Sequence, residues 1–118
     1  MATSNIPLLA SAILLTDTSC IGTAVVAKAS SAVLYQLELD NTANAAASYF
    51  KIWNTGTVTV GTTVPDWVVM VPASVSRTIT IASGLTFATA LAYACTTAGG
   101  TTGSTAPSSA FAMKMVYV

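Results

Sequence analysis

Few residues in this chain could do chemistry. Glu38 and Asp40 stand two apart in the run AVLYQLELDN, so on a strand their carboxylates project from one face. A glycosidase uses two carboxylates about 5–9 Å apart, and this spacing roughly meets that. A solvated strand face is the better reading, because so short a chain offers no deep sugar cleft. Asp40, Asn41 and Asn44 gather oxygen donors, but without the ligand spacing of an EF-hand loop. An Asx turn accounts for them more simply. Histidine is absent, which removes the commonest general base, the Ser-His-Asp and Cys-His arrangements and most zinc sites. The glycines Gly99, Gly100 and Gly103 are followed by no lysine and open no helix, so they do not form a phosphate-binding loop. Cys20 and Cys95 permit one disulfide at most and read best as two buried, small apolar residues. Tyr49, Trp53 and Trp67 could make a sugar-stacking platform, although packing in a core or an interface is the commoner use of such side chains. No catalytic residue, metal ligand or cofactor site emerges, and the chain is not expected to be an enzyme.

The composition points to surface that is covered. Of 118 residues, 7% are charged and 53% hydrophobic, and the charges cancel. Ordinary domains carry roughly 25% charge, and a neutral, charge-poor monomer is poorly defended against association. A membrane is the weaker explanation. A spanning helix needs about 20 consecutive apolar residues. The best run, IPLLASAILL, is half that, contains Pro7 and has no preceding Lys or Arg to make it a signal peptide. A lipid-facing barrel would need aromatic girdles that are missing. Lys28, Lys51, Arg77 and Lys114 are scattered, so no nucleic-acid surface is expected either. Contact with other protein remains.

The elements that must position these residues are strands. Short β-branched and aromatic runs are separated by Gly, Asn, Pro and Ser clusters. In residues 32–41 the alternation places Val33, Tyr35, Leu37 and Leu39 on one face and Gln36, Glu38 and Asp40 on the other. Strands follow at 48–54, 66–71 and 76–83, with one or two more before residue 28. GLTFATALAYAC reads as one strand with a bulky face and a small uncharged face formed by Thr86, Ala88, Ala90, Ala92 and Ala94. That small face is expected to meet either another subunit or the opposite sheet. Residues 96–109 read as a long flexible loop in which shortening is tolerated. The final run, AFAMKMVYV, sets Phe111, Met113, Met115 and Tyr117 on one face, to be buried in the core or against a neighbour. The expected fold is a single all-β domain over residues 1–118, with an N-terminal arm at about 1–18. It is an antiparallel β-sandwich of seven or eight strands, with a jelly roll as one form of it. The candidate interface residues are Ala88, Ala90, Ala92, Ala94, Phe111, Met113, Met115 and Tyr117.

The succession LYQLELDNTANAAASYFKIWN, VGTTVPDWVVMVPA and GLTFATALAYACTTAGGTTG, covering about residues 34–103, resembles small proteins encoded in tailed-bacteriophage genomes. The resemblance implies a virion component, assembled in the host cytoplasm, that decorates the capsid as a cement protein. The alternatives are a tail, neck or baseplate component, or a module binding a host glycan or receptor through exposed aromatics and the 96–109 loop. The implied partners are other copies of the chain, with a trimer first, and the major capsid protein or tail proteins.

Overall fold

The computed structural model describes residues 11–118, so most of the expected arm, and the first half of the IPLLASAILL run, lie outside the described residues. Eight strands follow in order: β1 (Ile13–Asp17), β2 (Val25–Lys28), β3 (Ala32–Asp40), β4 (Ser48–Trp53), β5 (Trp67–Val71), β6 (Ser76–Phe87), β7 (Leu91–Thr96) and β8 (Ala112–Tyr117). There is no helix among the described residues. The strands form two antiparallel four-stranded sheets, sheet A in the order β1-β8-β3-β6 and sheet B in the order β2-β7-β4-β5. The core between them holds Leu34, Leu37, Leu39, Phe50, Ile52, Leu91, Tyr93, Phe111, Met113 and Met115. Phe50 stacks between Tyr93 and Phe111, with ring centroids 5.6 and 6.4 Å away.

Two local irregularities change the faces expected from alternation. In β3 a register shift lies between Leu34 and Gln36 against both neighbours. The extra residue moves the phase by one position. Leu34, rather than Tyr35, joins Leu37 and Leu39 inside, while Val33 and Tyr35 are only half-buried. On β6 the same irregularity is absorbed around Gly84, whose φ of 78° favours glycine. A β-carbon there would lie 2.4 Å from the Val33 side chain.

The second irregularity corrects the single strand expected at residues 84–95. A turn at residues 88–90 divides it, with β6 in sheet A before the turn and β7 in sheet B after it. Asn54 holds that turn: its Oδ1 accepts from Thr89 N at 2.8 Å and Ala90 N at 3.3 Å. Alternation continues through the turn because both neighbouring strands use odd-numbered bulky residues inward, so no break in the pattern marks the crossover.

One end of the sandwich is organised by two buried asparagines. Asn41 Nδ2 donates to the carbonyls of Ala46, Val71 and Pro72 at 3.0–3.1 Å, and its Oδ1 accepts from Ser48 Oγ at 2.9 Å. Asn44 exchanges bonds with Ser109, accepting from its N at 2.8 Å and donating to its carbonyl at 3.2 Å. These side chains satisfy backbone groups that the sheets leave unpaired, as buried polar groups require.

Candidate interaction surfaces

The centre of the outer face of sheet B, over β4 and β7, is covered by the chain itself, while Val26 on β2 and Met70 on β5 stay exposed at its margins. Tyr49, Lys51 and Trp53 alternate outward on β4, opposite Thr96, Ala94 and Ala92 on β7. Small side chains beside large ones leave room for a second layer, and two loops fill it. Val58 and Val60 pack on Trp53, Ala92 and Ala94, and Trp53 Nε1 donates to Thr63 O at 3.0 Å. The 97–105 loop lies over Lys51, whose Nζ donates to Gly100 O at 2.6 Å and Gly103 O at 2.9 Å. Lys51 is fully buried, and its burial pulls the pKa of the ammonium down. Gly99 lies so close to Tyr49 that a β-carbon would sit 2.7 Å from the ring. This loop is therefore a pinned cover, not the free connection expected of its Gly/Ser/Thr composition.

This arrangement relocates the candidate interface residues. Ala90, Ala92 and Ala94 are buried beneath or beside the chain's own loops, and Ala88 alone is exposed, in the turn. Phe111, Met113, Met115 and Tyr117 point into the core because β8 lies between β1 and β3 in sheet A. Seven of the eight residues are thus covered within one chain and present nothing to a neighbour.

Among the described residues nothing covers the outer face of sheet A. A cross-strand row runs Thr16, Lys114, Glu38, Thr78. With Asp40 it lines an open concavity of about 230 Å³. Glu38 and Asp40 do share this face, as their spacing requires. Asp40, however, is occupied by an Asx turn: Oδ1 accepts from Thr42 N at 2.9 Å and from the Thr42 hydroxyl, and these bonds lower its pKa. A general acid needs the opposite shift. The calcium grouping also separates, since Asp40 is exposed while Asn41 and Asn44 are buried and committed to backbone groups. Among the described residues no cluster of three His, Cys, Asp or Glu side chains could hold a metal ion.

The aromatic platform does not form. Trp67 pairs with Ile52 and packs inward, whereas Tyr49 and Trp53 face outward and lie under loops. Sequence reasoning missed the roles of Lys51, Asn41 and Asn54. For Lys51 no local signal existed, because alternation sends it outward and only the 97–105 loop covers it.

A further surface is the seam on the side of the sandwich bounded by β1 and β2, one edge of each sheet; Val64, Met70, Val75 and Leu85 are exposed elsewhere. Ile13 pairs with Tyr117, and Val25 with Tyr93, which are inward positions. Yet Ile13 is 48% and Val25 40% exposed, and Leu14, Ile21 and Val26 are exposed beside them. Behind this seam the sheets are tied by Tyr93 OH donating to Asp17 Oδ2 at 2.8 Å and by Tyr117 OH donating to Ala27 O at 3.0 Å. Burial and the neighbouring Asp17 carboxylate push the Tyr93 phenol pKa up. Comparison with protein-family models, with curated proteins and with solved structures gives no match.

Proposed function

We propose that this chain is a non-enzymatic structural protein of a bacteriophage virion, bound to the capsid as a decoration protein through contacts between its own copies and with the major capsid protein. The observation that carries the reading is the open apolar seam along β1 and β2. Edge strands are normally protected by charge, proline or a covering loop. Here two such edges expose Ile13, Leu14, Ile21, Val25 and Val26, in a chain whose 7% charge and zero net charge give copies no reason to repel. A second copy seated on the seam would shield these side chains and extend the ladders of β1 and β2. Binding only the assembled shell would stabilise it by mass action.

The strand order supports the reading. The pairs β1–β8, β2–β7, β3–β6 and β4–β5 make one long antiparallel ribbon, and β3–β8 and β4–β7 close it into two sheets. We read this winding as a jelly roll, an architecture of capsid proteins and also of lectins and cupins. Because a fold hosts many functions, the seam and the phage-protein resemblance carry more weight than the architecture.

Sedimentation velocity and particle binding test the proposal. The wild-type protein is expected to form a closed oligomer, a trimer first, and to bind purified capsids in hundreds of copies by quantitative mass spectrometry. Val25→Lys with Ile13→Lys should leave a folded monomer that no longer binds. A wild-type monomer that ignores capsids would end this reading, and a few copies per particle would move the protein to the tail or a vertex.

A further inference from the structure

Cys20 lies on the crossover that leaves β1 in sheet A and enters β2 in sheet B. Its backbone N donates to Phe111 O at 2.8 Å, next to β8 of sheet A. Cys95 lies in β7 of sheet B, and its N donates to Ile21 O at 2.9 Å, the residue beside Cys20. The two side chains are free thiols, both buried and both in the same core cluster. The bond from Cys95 N to the carbonyl of the residue next to Cys20 lays the two backbones side by side, the arrangement that a disulfide between them would need. No further cysteine exists in the chain to compete for either sulfur.

We propose that Cys20 and Cys95 form a latent cross-link, a modification site at which a small-molecule disulfide oxidises the pair to an intramolecular bond that fastens the β1–β2 crossover to β7. The step balances as two thiol–disulfide exchanges. A Cys thiolate attacks the reagent RSSR, forming a mixed disulfide and releasing one RSH equivalent. The second Cys thiolate then attacks the protein sulfur of that mixed disulfide and releases the other RSH. The two protein sulfurs are oxidised, the reagent is reduced, and both protons leave on the RSH products.

The surroundings explain why the pair would stay reduced until called on. Contact with Cys95, burial and the Asp17 carboxylate all hold the proton on Cys20, and the thiol is not the attacking form. Reaction therefore waits for the crossover to open. Thr18, Ser19 and Ile21 on it are exposed, and among the described residues β1 pairs with β8 alone. Once closed, the bond would join a residue anchored on sheet A to a central strand of sheet B, beside the Tyr93–Asp17 tie. The inference is independent of the virion reading.

The test compares the purified wild-type chain after dithiothreitol and after oxidised glutathione, incubated a few degrees below its melting temperature. Oxidation should remove two hydrogens from the intact mass, leave no thiol to alkylate after denaturation, keep the same oligomeric state on a non-reducing gel, and raise Tm by roughly 5–15 °C, reversibly. Cys20→Ser and Cys95→Ser should each abolish that rise. Because reduced and oxidised wild type are compared directly, the result does not depend on either variant folding. Two persistent thiols, a stable glutathione adduct, a cross-link between chains, or an internal disulfide that lowers Tm would each overturn the proposal.

Discussion

The outer faces of the two sheets begin from similar strand patterns and end in opposite environments. On sheet A the outward row Thr16, Lys114, Glu38 and Thr78 stays in water. On sheet B the outward residues Lys51, Trp53, Ala92 and Ala94 are buried beneath two loops. Lysine stands on both faces, so charge alone does not separate them. What differs is the neighbourhood. Ala92 and Ala94 leave space beside Trp53 and Lys51, and residues 54–66 and 97–105 are long enough to return across it. The middle of a half-buried sheet becomes buried on both faces when its small residues lie beside its large ones and a connection can reach back.

Breaking the covered face should cost far more than altering the open one. The largest effect is expected for Trp53→Ala, which empties the space between Val58, Val60 and Ala92 and removes the bond to Thr63 O. It should destabilise by about 3–5 kcal/mol in chemical denaturation. A smaller loss would mean that the 54–66 loop is not part of the core.

Lys51→Met tests the second loop. The apolar stem is kept, but Gly100 O and Gly103 O lose their donor. A loss of about 1–3 kcal/mol is expected, with faster hydrogen exchange across residues 97–105. Unchanged exchange there would show that the ammonium does not pin the loop. The cover can also be probed at neighbouring glycines. Gly99→Ala must push the Tyr49 ring aside and should cost about 1–3 kcal/mol. Gly100→Ala meets nothing within 4 Å and should be close to neutral. Equal effects at the two positions would sink the close approach seen at Tyr49.

The smallest effect belongs to sheet A. Glu38→Ala and Lys114→Ala, cross-strand neighbours on the open face, should each change stability by less than about 0.5 kcal/mol. A larger change in the assembled state but not in the isolated chain would mean that a partner covers this face too.

Four of the six tryptophan and tyrosine positions, Tyr49, Trp53, Trp67 and Tyr93, illustrate how far sequence reading reaches. Their strands were legible from β-branched and aromatic runs bounded by Gly, Asn and Pro, and all four do lie on strands. Alternation also gave the faces of Tyr49, Trp53 and Tyr93, but not that of Trp67. Trp67 turned out to face the core because it pairs with Ile52, and pairing between distant segments leaves no local trace. The Asx turn at Asp40 was readable, because its partner Thr42 is two residues away. The bulge at Tyr35 was not, since an extra residue in β3 is defined only against β8, and on the other side residues 81–84 of β6 bulge opposite it.

By itself, then, the sequence determined an all-β chain, its strand-rich segments, the inward set Leu37, Leu39, Phe50, Ile52, Phe111, Met113, Met115 and Tyr117, and a surface with little charge. Those follow from local propensity and period-two alternation, which act within a few residues. The tertiary structure alone decided that one apparent strand at residues 84–95 serves two sheets, that the alanine face is covered by the chain's own loops, and that Lys51 is buried rather than solvated. Each of these depends on contacts between segments far apart in the chain, where the energy of filling space and satisfying backbone groups overrides what any short stretch prefers.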